Sequence, residues 1–144
     1  MQVQEILRVK GNRLLCIEPS GQAAEAVRTM ARENLGSLVV LERERMVGML
    51  TFHELLRALA LRGGTLGDLE VGDIMDRDPV TATPDMEVND LRRTMLESGA
   101  RYLPVMKEGR LLGVISFRDV AKAVLEEQDF ENRMLKGYIK NSLV

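Results

Sequence analysis

The chain has 144 residues, 45% of them hydrophobic and 29% charged, the balance of one globular domain or of two very small ones sharing a core. A net charge of −2, with three Phe and two Tyr, supplies neither the basic field nor the base-stacking surface of a nucleic-acid binder, so no nucleic-acid partner is expected. The single cysteine forms no internal disulfide, the start lacks the basic flank and apolar run of a signal segment, and no apolar stretch nears a membrane span of roughly 20 residues. An unprocessed, soluble, cytoplasmic chain with no membrane partner is expected.

In chain order, the first segment, VQEIL at 3–7, is echoed by VGDIM at 71–75, and with it begins an internal duplication. From Leu15 to Val124 the repeat runs at an offset of 65 without a gap. Pro19 falls on Pro84, the RTM triplets at 28–30 and 93–95 coincide, and Gly48, Phe52 and Ala58 fall on Gly113, Phe117 and Ala123. Upstream the offset is 68, the difference being absorbed by KGNR at 10–13.

Each copy then follows one order of elements. LLCIE and PVTAT read as short strands. Pro19-Ser20 and Pro84-Asp85 put a turn residue and an N-cap ahead of amphipathic helices, with stripes of Ala23, Ala26, Val27 and Met30 in one copy and Val88, Leu91 and Met95 in the other. Those helices end near NLG and SGA, where glycine lets the chain leave. SLVVLERERMVGMLT and YLPVMKEGRLLGVIS fit β-hairpins, followed by the helices FHELLRALAL and FRDVAKAVLEE, with RGGTLGDLE between the copies. In the tail, Phe130, Met134 and Tyr138 recur every four residues and predict a helix from Asp129 to Ile139 that packs on a partner subunit.

The expectation is an α+β fold of two tandem β-α-β-β-α repeats, at 1–62 and 71–127, joined by a linker at 63–70 and followed by a C-terminal helix at 128–144. Each half has about sixty residues and one apolar sheet face, so the two should pack together as one module. The two hairpin-following helices carry more apolar surface than a thin sheet layer covers, which predicts a homodimer built through them.

The tandem spacing, DIM…PVTATPD, YLPV and GVISFRD resemble the cystathionine-β-synthase (CBS) domain pair, or Bateman module, over about residues 3–127. The resemblance implies pseudo-two-fold packing of the copies, clefts between them for adenosine-containing ligands, and a regulatory role. The first copy departs from the family pattern with Glu54 in place of Asp and Val39 in place of Pro.

The phrase GVISFRDV at 113–120 repeats GMLTFHEL at 48–55. Thr51 and Glu54 form a capping-box sequence, and Ser116 and Asp119 approximate one. With the helix start open to a ligand, its N–H groups suit a phosphate, Ser116 can donate to it and Arg118 can add charge, while the Asp119 carboxylate matches a ribose diol. The family geometry implies that the base lies against the other copy. The stronger site then combines Ser116, Arg118 and Asp119 with Cys16, Ile17, Ser37, Leu38 and Val39. The weaker one combines Thr51, His53 and Glu54 with Thr81, Ala82, Thr83, Tyr102, Leu103 and Pro104. Core packing is the competing reading for the apolar members.

His53 and Cys16 are the only histidine and cysteine, so a His/Cys metal site lacks ligands and a Cys-His nucleophile pair would need both. No GxxxxGK loop is present. No catalytic residue, metal or catalytic cofactor is expected. Two functions remain: a homodimeric regulatory sensor of AMP, ADP or ATP, with NADH and S-adenosylmethionine as further ligands, acting on a regulated protein partner; or a structural adaptor with no nucleotide in its clefts.

Overall fold

The two hairpins form where apolar runs are broken by charged turns. β2 (Ser37–Glu42) pairs antiparallel with β3 (Arg45–Thr51), and β4 (Tyr102–Lys107) with β5 (Arg110–Ser116). Ser37 opposes Thr51 and Tyr102 opposes Ser116; each ladder slips once, after Val40 and after Val105, so even the irregularity repeats at 65 residues. Both turn residues of each hairpin have positive φ, Arg43 and Glu44 in one and Glu108 and Gly109 in the other, as a two-residue connection that matches strand twist requires. The computed structural model describes residues 1–11 and 14–142. Asn12 and Arg13 of the KGNR insertion, and Leu143 and Val144 of the expected terminal helix, lie outside the described residues.

α2 (Ala23–Glu33) buries Ala23, Ala26 and Met30, and α5 (Val88–Ser98) buries Val88, Leu91 and Met95. Val27, expected on the stripe, is exposed; the 3.6-residue period turns it about 100° away from Ala26. The left-handed residue that ends each helix is Gly99 in the second copy but Asn34, not Gly36, in the first. The N-caps are Gln22 and Glu87 rather than Ser20 and Asp85. The expected turns form at Pro19-Ser20 and Pro84-Asp85, Gly21 N donating to Glu18 O and Met86 N to Thr83 O, and the helices start only after them because carbonyls there accept hydrogen bonds from the other copy: Pro19 and Gly21 from Gly72 and Val71, Pro84 and Met86 from Gln4 and Val3.

Those bonds belong to an exchange. α1 (Val3–Lys10) leads the first copy, yet Val3 and Ile6 sit in the core built from Val88, Leu91, Met95, Leu103 and Ile115 of the second. α4 (Val71–Ile74) leads the second copy, and Val71 and Met75 complete the core of Ala23, Met30, Leu38, Val40 and Leu50. Each core closes with residues from the opposite copy, which ties the halves together by burial, at about 1.5–3 kcal/mol for each fully buried aliphatic side chain.

β1 (Cys16–Ile17) lies parallel to β2 and makes a three-stranded sheet. The matching strand expected at PVTAT is a single bridge, Ala82 to Val105, so β4 and β5 form a two-stranded sheet. The flanking Pro79 and Pro84 bring no N–H to extend that ladder.

α3 (Phe52–Leu61) stops before Gly63 and Gly64, both at positive φ. Its counterpart meets no such break, and α6 runs from Phe117 to Ser142 without interruption. The hairpin-following helix and the expected terminal helix are therefore one element. No helix among the described residues is long and apolar enough to cross a membrane.

Candidate functional site

Each hairpin ends on a hydroxyl residue that caps the following helix. Thr51 Oγ1 accepts from His53 N at 3.1 Å, and Thr51 donates to Glu54 Oε1 from its backbone N at 2.7 Å and from its hydroxyl at 2.9 Å. In the second copy Asp119 N donates to Ser116 Oγ at 3.1 Å, and Ser116 N to Asp119 Oδ2 at 2.8 Å. Both capping boxes are formed, the shorter Asp serving as well as Glu.

Asp119 has a further partner that the sequence reading missed. Lys10 Nζ, in the last turn of α1, donates to Asp119 Oδ2 at 2.6 Å and to the Val114 carbonyl at 2.7 Å. Burial pushes the Asp119 carboxyl up, but the Lys10 and Ser116 hydrogen bonds outweigh it and hold the group below the usual aspartate range. The exchange of leading helices carries Lys10 there. The alignment of VQEIL with VGDIM contained the only signal that α1 belongs to the repeat.

A cavity of about 370 Å3 opens beside this helix start. Of the expected stronger-site residues, Ser116, Arg118, Ser37 and Val39 line it. Asp119 stands behind the wall, facing Lys10, while Cys16, Ile17 and Leu38 are not part of the lining. In their place stand Leu14, Leu15 and the turn Asn34–Gly36. Cys16 already pairs with Val39 in the sheet, so the cleft is faced by the residues just before the strand, and Leu38 turns into the core.

A second cavity, of about 460 Å3, lies at the start of α3. Thr51, His53, Glu54 and Tyr102 line it. Ala82, Leu103 and Pro104 are buried instead, and Thr81 and Thr83 lie off its wall, Thr83 donating to Asp85 at 2.7 Å. The wall is again displaced upstream, to Asp78–Val80 and the turn Ser98–Arg101.

Phe52, Arg101 and Tyr102 line both cavities and separate them. The rings meet edge to face with centroids 5.9 Å apart, and the Arg101 guanidinium sits 6.0 Å from the Phe52 centroid. Burial pushes the Tyr102 phenol up, so it remains a donor at neutral pH.

Among the described residues, Lys10, Arg101 and Arg118 line the first cavity and no carboxylate does. Glu54, Asp76 and Asp78 line the second, where Arg101 is the permanent cation. The cavities are alike in backbone and opposite in charge.

The CBS-domain sequence profile matches residues 5–61 and again 71–126. The chain belongs to the CBS-domain family. A 17.7 kDa protein of Acidianus ambivalens is 35% identical over 124 residues, 85% of this chain and 74% of the relative. The CBS-domain protein ATU1752 of Agrobacterium tumefaciens superposes with a TM-score of 0.81 at 28% identity, over 85% of this chain and 98% of that one. The CBS domain pair of protein MJ0100, solved with 5′-methylthioadenosine and S-adenosyl-L-methionine, shares the fold at a TM-score of 0.75 and 21% identity, over 88% and 98%.

Proposed function

We propose that this CBS pair is a regulatory binder of an adenine nucleotide, AMP, ADP or ATP, with NADH and S-adenosylmethionine as further ligands, and that it acts on a protein partner. The observation that carries this reading is the first cavity: a capped helix start with a hydroxyl, bordered by Lys10, Arg101 and Arg118 and by an apolar wall across the copy boundary. The cations on one side suit phosphate, and Leu14, Leu15 and Tyr102 offer surface to a base. Asp119, behind the wall and paired with Lys10, becomes the acceptor for ribose hydroxyls when Lys10 turns to the phosphate. That this fold receives adenosine compounds in MJ0100 is consistent with the assignment.

The adaptor reading draws on a different observation, that both capping boxes are complete without any ligand. A thermal-shift panel of AMP, ADP, ATP, NADH and S-adenosylmethionine separates the two. A ligand at a hundred times its Kd stabilises the fold by about 2.7 kcal/mol. No shift with any of the five leaves the adaptor.

The binder is proposed to work as a homodimer. Leu56 and Leu61 on α3 and Leu125 on α6 are exposed, and on the far half of α6 Phe130, Met134 and Tyr138 are 63%, 61% and 72% exposed. That half is acidic at Glu126, Glu127, Asp129 and Glu131, then basic at Arg133 and Lys136. Two copies laid antiparallel would set acid against base along an apolar stripe, so a second copy of this chain fits the surface.

A further inference from the structure

We infer that Lys10 selects a phosphorylated ligand, so that a nucleoside phosphate fills the first cavity and is turned away from the second. This rests on the nucleotide reading above. Three observations carry it.

Lys10 lines the first cavity, whereas the matching stretch after α4, displaced by 68 residues, brings Asp76 and Asp78 to the second. Both stretches sit against the glycine of their hairpin. A Cβ on Gly113 would meet Leu7, and one on Gly48 would meet Met75 and Asp76, so the leading segments are equivalent in place as well as in sequence. Their charges are inverted.

Secondly, Lys10 is held on Asp119, the acceptor assigned to ribose, by a 2.6 Å contact. A phosphate at the start of α6 gives the ammonium a second anion to pair with. Trading the Asp119 oxygen for a phosphate oxygen keeps the cation paired and vacates one acceptor position on Oδ2 for a sugar hydroxyl, the other still accepting from Ser116 N. A nucleoside without phosphate offers no such trade and must compete with Lys10 for the carboxylate. One side chain thus links recognition of the two halves of the ligand.

Thirdly, Arg101 faces both cavities and therefore favours neither. The difference is left to Lys10 and Arg118 on one side and to Glu54, Asp76 and Asp78 on the other, where a phosphate dianion meets like charge in a partly enclosed space.

Titration calorimetry of the full chain with AMP and with adenosine tests the inference. The parent should bind one AMP per chain. Lys10→Met should lower AMP affinity roughly tenfold to a hundredfold, the loss of a charge-assisted contact, while adenosine, no longer competing with the ammonium for Asp119, binds as tightly as before or more tightly. Lys10→Arg should restore most of the AMP affinity, a rescue that a variant damaged only in folding would not show, and melting curves of both are compared. Asp78→Lys should add a second AMP site. Two AMP sites in the parent, equal losses of AMP and adenosine in Lys10→Met, or an unchanged single site in Asp78→Lys each overturns the inference. A parent chain that binds neither ligand refutes the inference, and refutes the nucleotide reading as well if ADP, ATP, NADH and S-adenosylmethionine also fail to bind, whereas one that binds adenosine as tightly as AMP spares that reading and refutes the role of Lys10.

Discussion

Gly48 and Gly113 occupy the same place in the two copies, and replacing each with alanine should have different costs. A Cβ at Gly48 would lie 2.6 Å from the Asp76 carbonyl oxygen and 3.0 Å from Met75 Sδ. That carbonyl cannot retreat freely, because Asp76 and Met49 exchange backbone hydrogen bonds of 2.9 and 2.8 Å. Overpacking against fixed backbone costs about 1–3 kcal/mol, and a strained hydrogen bond adds about 1. The reduced freedom of the unfolded chain returns about 0.4–1 kcal/mol. Gly48→Ala should therefore destabilise by about 1–3 kcal/mol. At Gly113 the added Cβ meets only Leu7 Cδ2, at 2.9 Å, the far end of a flexible side chain beside a cavity. Gly113→Ala should stay within about 0.5 kcal/mol of the parent, the gain in the unfolded state offsetting a small shift of Leu7. Urea unfolding at one protein concentration measures both; with a slope of about 1–3 kcal/mol per molar, the first variant moves its midpoint by about 1 M and the second hardly at all. Equal costs, or a larger cost at Gly113, would refute the claim that backbone approach makes the first glycine obligatory.

Asp119→Ala should weaken AMP binding by about 1.5–3 kcal/mol, roughly tenfold to more than a hundredfold, while Glu54→Ala matters less; calorimetry showing the reverse order would invert the assignment of the stronger site. The Asp119 carboxyl titrates below the usual aspartate range, so the stability it contributes is complete above its unfolded value near pH 3.9 and is lost as pH falls through the lower folded value. The stability difference between the parent and Lys10→Met, followed by urea midpoints, should accordingly be flat from pH 7 to about pH 5 and shrink below pH 4. A difference that shrinks between pH 6 and 8 would show that another group carries it. Removing residues 129–144 deletes the exposed Phe130, Met134 and Tyr138 and should raise the dimer dissociation constant in sedimentation equilibrium; an unchanged constant places the interface elsewhere.

The parts of the fold legible in the sequence are those whose causes are local or repeated. Hairpin register follows from charged turns between apolar runs, and the repeat at an offset of 65 residues carries that register, slip included, from one hairpin to the other. The capping boxes at Thr51 and Ser116 depend on residues three apart, and those too are readable. The exchange of α1 and α4 is not, because Val3 and Val88 meet only once the chain has folded, and both docking sites are equally apolar in the sequence. The same reason hides Lys10 from any reading that starts at Asp119. The cavity walls lie a residue or two upstream of the expected Cys16 and Ile17 and Thr81 to Thr83, since a strand's alternation says which residues share a face but not where the strand leaves the cleft. The continuity of α6 is not legible because the sequence holds no marker for it: a helix ending at Glu127 and another starting at Asp129 have the same pattern as one helix through both.

Continuity makes α6 a lever. Its 26 residues extend about 39 Å at about 1.5 Å each, with Arg118 and Asp119 in the first turn and Tyr138 near the far end. A change of about 5° in the direction of that axis, pivoting at the cavity, sweeps the far end through about 3 Å, comparable to the separation of adjacent side chains in a packed interface. A jointed connection would have absorbed such a tilt. The first copy has no equivalent arm, since α3 ends at Leu61 and is followed by two glycines. Under the proposed function, a ligand in the cavity beside α6 touches the base of this arm directly, whereas one in the cavity beside α3 is separated from it by the ring pair of Phe52 and Tyr102.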